Sequence, residues 1–278
     1  MASATKPPLL EVGSSRKSRI TLRVIALAYL LALLGLPLVL ILWRTFEHGL
    51  GPVWTALTQP AALHALKVTL EVALSAVVLN TIFGIGASLL IVRHVFKGRR
   101  IFNALIDLPI AVSPVVVGLA LILVYGKFTT VGGWLEDHGI QIIFSIPGMV
   151  IATCFVSLPL VVRAIVPVLE EMGDEQEQAA KTLGATAVQT FRRITLPSIS
   201  GALAYGIVLC LARAIGEFGA VAVVSGQLVG QTQTLPLYVE ERFENFDQTS
   251  AFVVSTLLAI IAGAALLLSK LLRPKESS

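Results

Sequence analysis

Charge is scarce in this chain. Asp, Glu, Lys and Arg make up 14% of its 278 residues, while 55% are hydrophobic and the mean hydropathy is +0.84. A soluble domain of this length could not cover that much apolar surface, so the composition excludes an ordinary globular protein and predicts a polytopic membrane protein. Cysteine is nearly missing. Cys154 and Cys210 both fall within apolar runs and read as small core residues rather than a disulfide or a metal pair. No GxxxxGK[ST] string is present, and Gly126-Lys127 lacks the partner glycine five residues before Gly126, so ATP binding by a P-loop is not expected. HExxH and GxSxG are also missing, and His48, His64, His94 and His138 are scattered over loops and ends. The residues predict no enzyme active site and no bound metal.

The chain does have long apolar runs. A spanning helix needs about 20 mostly apolar residues. Six runs qualify, at roughly 22–43, 66–92, 101–125, 146–169, 199–224 and 250–272. Membrane-spanning strands would alternate in polarity and these runs do not, so the predicted fold class is all-α. Lys and Arg sort by loop. Fifteen of the 21 fall on one side: Lys6, Arg16, Lys17, Arg19 and Arg23; Arg93, Lys97, Arg99 and Arg100; Lys181, Arg192 and Arg193; Lys270, Arg273 and Lys275. The other side has only Arg44, Lys67, Lys127 and Arg242. The positive-inside bias places both termini and the segment 170–198 in the cytoplasm. The net charge of +4 is therefore a topology signal, and no nucleic-acid partner is expected.

The expected division is a flexible cytoplasmic tail over 1–19, a transmembrane unit over 20–272 and a short cytoplasmic tail over 273–278. The first apolar run is longer than a signal-peptide core and no A-x-A site follows it before Trp43, which predicts a retained anchor. Pro109 and Pro114 interrupt the third run, and Pro147, Pro159 and Pro167 fall in the fourth. A proline removes a backbone donor and bends a helix, which a membrane tolerates where neighbours satisfy the freed groups.

One water-soluble segment stands out. Residues 170–198 read EEMGDEQEQAAKTLGATAVQTFRRITLPS. Asp174 and Glu177 are spaced as a capping pair, Gly184 suits a left-handed helix end, and Thr186 with Gln189 forms a second capping pair. Arg192 and Arg193 have the sign that closes a helix, and Pro197 suits the first turn of the next span. The reading is two short helices joined by a tight turn. The first offers Ala179, Ala180 and Leu183 on one face. Glu170, Glu171, Asp174, Glu175 and Glu177 would be repelled by anionic lipid, so a protein partner is favoured over a lipid surface, with the acids solvated or meeting partner bases.

Arg213 and Glu217 form an i, i+4 pair inside the fifth run, with Gly216, Gly219 and Ala220 around them. Ionisable side chains at that depth mark a functional interior by default. The residues leave two readings open, a translocation path or gate and an ion pair locking two helices. The second is favoured because a paired charge attracts a passing anion poorly. Phe218, Ser113 and Pro114 join Arg213 and Glu217 as candidates for the path. Arg163, near the inner end of the fourth run, is expected to snorkel to the interface.

The spacing of Ala179, Ala180, Gly184, Ile194, Leu196 and Pro197 resembles the EAA motif of membrane subunits of bacterial ABC importers. The blocks DLPIAVSPVVVGLALILVYG, GGWLEDHGIQIIFSIPGMV, FRRITLPSI and ARAIGEFGAVAVVSG resemble permeases of the sulfate/thiosulfate type, in particular the CysW type, over roughly 45–272. ARAIGEFGA is also similar to molybdate and tungstate permeases. The resemblance implies the type I ABC importer architecture in a bacterial inner membrane. It implies a heterodimer with a sister permease, two cytoplasmic ATPase subunits that use ATP and Mg, and an external sulfate-binding protein. It makes Gln178, Ala179, Ala180, Leu183, Gly184, Ile194, Leu196 and Pro197 the expected ATPase-docking residues. Gln178 departs from the family, which has Glu there, and Glu177 lies about 100° away around the helix. The alternatives are a molybdate or tungstate permease of the same build, or a stand-alone secondary transporter with Arg213 and Glu217 as a coupling pair.

Overall fold

The computed structural model describes residues 16–272; residues 1–15 of the expected tail over 1–19 and the tail over 273–278 lie outside the described residues, and 16–19, expected in the tail, open the first helix. Every regular element among them is helical. Helix α1 (Arg16–Leu30) runs through a π turn at Leu31–Gly35 into α2 (Leu36–Phe46). On the outer side lies α3 (Leu50–Thr58), followed by the long α4 (Pro60–Arg93), which returns to the inner side. Next come α5 (Arg99–Ala111) and α6 (Pro114–Tyr125), then the outer α7 (Thr130–Asp137) and the spanning α8 (Ile146–Met172). Inside are α9 (Glu175–Thr182) and α10 (Ala187–Thr190), the latter joined through a π turn at Phe191–Thr195 to α11 (Leu196–Ile215). The chain ends with α12 (Gly219–Val224), the outer α13 (Leu235–Glu244) and α14 (Gln248–Leu272). Five of these stretches are long and apolar enough to cross a membrane, and the bent pair α5/α6 makes a sixth. The protein is therefore a multi-pass membrane protein.

The packed centre is α4, α8 and α11. Small residues set their spacing, as membrane helices without a hydrophobic drive between them require. A Cβ at Gly84 would sit 2.6 Å from Val161 Cγ1, and one at Gly206 would sit 3.0 Å from Ala164 Cβ and 3.2 Å from Val161 Cα. Asn80 crosses this centre, donating to Ser157 Oγ at 2.9 Å and to the Cys154 carbonyl at 3.1 Å. Cys210 Sγ lies 3.6 Å from the same amide, so both cysteines are packed in the core as free thiols. On the outer side, Tyr238 of α13 donates to Gln59 at 2.8 Å, and burial pushes its phenol above the usual range. Helices α1 and α2 stand apart. None of the most apolar stretch of Ile20–Phe46 is buried, and the buried Thr45, 2.7 Å from Thr256 Oγ1 on α14, fixes its outer end.

Two spans differ from their sequence reading. The fifth was expected as one run over 199–224. It ends at Ile215, turns through Gly216–Phe218 and restarts as α12. The second cytoplasmic helix was expected to close at Arg192 and Arg193, but it runs on into α11 without a break. The reason is the π turn, in which the Leu196 N–H bonds to the Phe191 carbonyl five residues back. The wider turn relieves the clash that Pro197 would otherwise make with the carbonyl of Arg193. The chain uses the same device ahead of Pro37, where Leu36 N–H bonds to Leu31.

Gly84 and Gly86 test the packing, because nothing lies within 4 Å of a Cβ at Gly86. Gly84→Ala is expected to destabilise the detergent-solubilised protein by about 1–3 kcal/mol, as overpacking does, and Gly86→Ala to leave its melting temperature unchanged. Equal melting temperatures for the two variants would rule out the close α4–α8 approach.

Candidate functional site

The cytoplasmic segment is built by local chemistry. Gly184 sits at φ +82°, and the bonds from Gly184 N to Lys181 O at 3.0 Å and from Ala185 N to Ala180 O at 3.0 Å complete a Schellman end for α9. Thr186 and Gln189 then exchange both bonds of a capping box and start α10. The expected first capping pair does not form. Asp174 Oδ2 instead accepts from Gln178 Nε2 at 2.7 Å, and the Glu177 side chain turns inward.

That inward turn corrects the expectation that all the acids of the segment face water or a partner. Glu177 is 8% exposed and lies against Arg93, the last residue of α4. Arg93 Nε donates to Glu177 Oε2 at 3.0 Å and Nη2 to Oε1 at 3.3 Å. The remaining edge of the guanidinium donates to the carbonyls of Leu169 at 3.1 Å and Gly173 at 2.7 Å. These belong to the last turn of α8 and the residue after it, where helix carbonyls lack partners and a positive charge is favoured. Thr195 Oγ1, in the π turn below α11, donates to Glu177 Oε1 at 2.8 Å. One ion pair therefore joins α4, α8, α9 and the base of α11. Removing either partner would strand the other charge, at a cost of about 3–5 kcal/mol for a buried pair.

The motif residues divide in two around this anchor. Gln178, Ala179, Leu183 and Gly184 are exposed, and Ala180 is half-buried. Leu183 is 89% exposed and Val188 of α10 is 66% exposed, so an apolar face points away from the bundle. Ile194, Leu196 and Pro197 lie instead in and just after the π turn, where Leu196 packs with Leu169 and Ile199. The exposed half can bind a partner, and the other half fastens it to the spans.

The second cluster lies where two broken helices meet. Helices α5 and α6 are bent by 113° about Val112 and Ser113, and Pro114 opens α6. Pro109, also expected to interrupt the run, is buried inside α5. A Cβ at Gly219 would sit 3.0 Å from Pro114 Cβ, and one at Gly118 would sit 2.9 Å from the Ala220 carbonyl. The structure thus brings Ser113 and Pro114 beside Phe218 and Gly219. Glu217, almost fully buried, accepts the Ala220 N–H at 3.1 Å and pairs with Arg213 at 3.2 Å. Its carboxylate supplies what the break at Gly216–Phe218 leaves unsatisfied.

Arg163, expected to snorkel, has an ion-pair partner. Its Nε donates to Asp107 Oδ1 at 2.8 Å and its Nη2 reaches Oδ2, a bidentate pair across α5 and α8. Sequence reading gave Arg163 and Arg93 no partner and singled out neither Asp107 nor Thr195. The available signal was that Arg163 and Asp107 are opposite charges in neighbouring apolar runs, which are costly there unless paired.

A polytopic helical bundle with a solvated segment fastened under its spans is a build suited to a membrane transport subunit. The family described as "Binding-protein-dependent transport system inner membrane component" matches residues 80–276, and the chain belongs to that family. It is 46% identical over 259 residues to "Sulfate transport system permease protein CysW" of Synechocystis sp., covering 93% of this chain and 94% of that one. It is 36% identical over 243 residues to "Sulfate transport system permease protein CysT" of Salmonella typhimurium, 87% of each. The crystal structure of a bacterial ABC transporter for import of the acidic polysaccharide alginate matches with TM-score 0.75 at 17% identity, over 94% of this chain and 96% of that one. The alginate transporter in complex with its alginate-bound periplasmic protein matches with TM-score 0.72 at 18% identity, over 91% and 92%. At those identities the likeness is one of fold, and the fold is that of an ABC importer permease.

The Asp107–Arg163 pair makes a testable coupling. Asp107→Asn and Arg163→Gln are each expected to lower the melting temperature of the purified protein, and the double variant to lower it by less than their sum. Strictly additive losses would mean that the two charges do not interact.

Proposed function

We propose that this chain is one of two membrane subunits of an ATP-driven importer of sulfate and thiosulfate in a bacterial inner membrane. The observation that carries the coupling is the exposed apolar face of α9 and α10, held firmly under α4, α8 and α11. Such a face in water implies a protein partner, and the partner proposed is a cytoplasmic ATPase subunit, one on each membrane subunit. Gln178, Ala179, Ala180, Leu183 and Gly184 form its seat, and Ile194, Leu196 and Pro197 connect the seat to the span. ATP and Mg are used by that ATPase and not by this chain.

The substrate reading rests on the sulfate permease relatives. The CysW and CysT names among them support a sister permease as the second membrane subunit, and the alginate importer with its periplasmic protein supports an external binding protein. In this reading ATP binding draws the ATPases together, α9 follows, and the spans switch between inward- and outward-facing states. Ser113, Pro114 and Phe218, at the touching breaks of α5/α6 and α11/α12, are the proposed gate, with Arg213 and Glu217 holding the second break in shape. Preference among oxyanions falls mainly to the binding protein, since a dense basic site in the path would trap a dianion.

Labelled sulfate uptake in cells with and without the chain tests this, with excess thiosulfate or molybdate as competitor. Uptake that needs the chain and is competed by thiosulfate is the expected result. Uptake that is unaffected by its loss, together with lost molybdate uptake, would transfer the chain to molybdate.

Gly184→Val tests the docking seat. A β-branched residue at φ +82° costs about 1–2 kcal/mol, enough to distort the end of α9 while leaving membrane insertion intact. Sulfate uptake is expected to fall severalfold at unchanged membrane level, and unchanged uptake would sink the docking role.

A further inference from the structure

The Arg93–Glu177 contact is more connected than a fastening requires. A loop can be tied down by one hydrogen bond to one helix. Here a single guanidinium uses both edges, taking the Glu177 carboxylate on one side and two carbonyls at the end of α8 on the other. The carboxylate in turn takes the Thr195 hydroxyl. Four elements therefore meet at two side chains that are 13% and 11% exposed. Among the described residues of α9, Glu177 is the one buried side chain. The exposed face of α9 lies on the opposite side, with Leu183 at its end. A push on that face reaches α4 and α8 through Glu177, and reaches α11 both there and through α10, which continues into it.

The composition of the contact matters for its stiffness. A guanidinium is planar, always charged and presents its donors in a fixed fork. A displacement of α9 by an ångström would lengthen several charge-assisted bonds at once, in a site where water offers little replacement. Gly173, at φ +64°, and Gly184, at φ +82°, flank α9 as conformational joints. Helix α9 is therefore a short rod between two turns, tied to the bundle by this contact and by its packing against α10 and the π turn.

The geometry points to Arg93 and Glu177, with Thr195, as the positioning residues that transmit the motion of the ATPase-docking helix to the spans. This rests on the reading of α9 as that docking helix. The residues touch neither substrate nor nucleotide and act through the elements they join. In the unaltered protein α4, α8 and α11 follow α9 as one body. With the joint loosened, α9 moves with its partner while the spans lag.

The test uses the whole complex in proteoliposomes, with both membrane subunits, the ATPases and the binding protein. Arg93→Lys keeps the charge and loses the fork. Glu177→Gln keeps the size and loses the charge, and Thr195→Val keeps the shape and loses one donor. Two quantities are read. One is sulfate moved per ATP hydrolysed. The other is the ATP-driven change in thiol labelling at Ser113→Cys, with Cys154 and Cys210 replaced by Ala. The expected result is a transport-to-hydrolysis ratio lowered by about 2- to 30-fold, the range over which residues between coupled sites tune coupling. The labelling change should shrink in parallel, with the ATPase subunits still co-purifying. If Arg93→Lys fails to insert, the milder Thr195→Val gives the same readings. A ratio and a labelling change equal to those of the unaltered complex overturn the assignment. So does loss of the ATPase subunits on purification, which would make the contact part of a static seat. If the unaltered complex shows the labelling change yet moves no sulfate, the substrate reading fails, and the joint is still judged by the labelling.

Discussion

Inside a bilayer a chain has to satisfy its own backbone, because no water is available to take an orphaned N–H or C=O. Most features of this fold follow from that constraint. The long helices α4 and α14 meet it by being regular, while α8 continues through Pro159 and Pro167. Several departures from regularity come with a compensating group. At Gly216–Phe218 the Glu217 carboxylate takes the N–H of Ala220. Below α11 and within the first span, π turns carry the hydrogen-bonding past Pro197 and Pro37. At the inner end of α8, Arg93 takes carbonyls that no helix continues to satisfy. Irregular backbone at these places is satisfied by a side chain or by a wider backbone turn.

The breaks and the insert 170–198 are joined by one packed body. The inner ends of α4, α8 and α11 meet at Glu177, and α11 then leads upward to the break at Gly216. There α12 lies against α6 so closely that neither Gly118 nor Gly219 has room for a methyl group. Helix α6 begins at the second break, Ser113–Pro114. A displacement entering at α9 has a continuous packed route along α11 to both breaks. Packed cores tend to switch between discrete arrangements rather than deform smoothly, so small shifts at one end can be delivered whole at the other.

The sequence reveals the parts whose signal is periodic or local. The six apolar runs, the charge sorting of their loops, the capping box at Thr186–Gln189 and the left-handed Gly184 all need only neighbours in the chain. What it does not reveal is pairing at a distance. Arg93 and Glu177 are 84 residues apart, and Arg163 and Asp107 are 56 apart. Each charge taken singly has a bland explanation, as a topology residue or a snorkelling side chain. The break in the fifth span was hidden for a different reason. Glycine is common in membrane helices, and Gly216 and Gly219 were equally consistent with close packing. The continuity of α10 with α11 was hidden because proline normally opens a helix, and nothing local announces a π turn that lets one pass.

The departure of Gln178 from the family pattern has a local physical reason. Its amide donates to Asp174 one turn earlier, at 2.7 Å. A glutamate in its place would set two carboxylates against each other at i, i+4, an arrangement that destabilises a short helix. Asp174 and Gln178 therefore suit one another as a pair. The carboxylate that α9 does need is Glu177, which points inward, about 100° around the helix, and serves the anchor. The exposed face is left with Leu183 and Val188 as apolar contacts and with Lys181, Arg192 and Arg193 as exposed bases. Glu175, one turn before Ala179, is exposed on the same face, so a partner fitted to it has to offer an apolar recess with polar groups of both signs at its rim. Gln178 thus gives Asp174 a partner on α9, while α9 is fastened to the spans through Glu177 and Arg93.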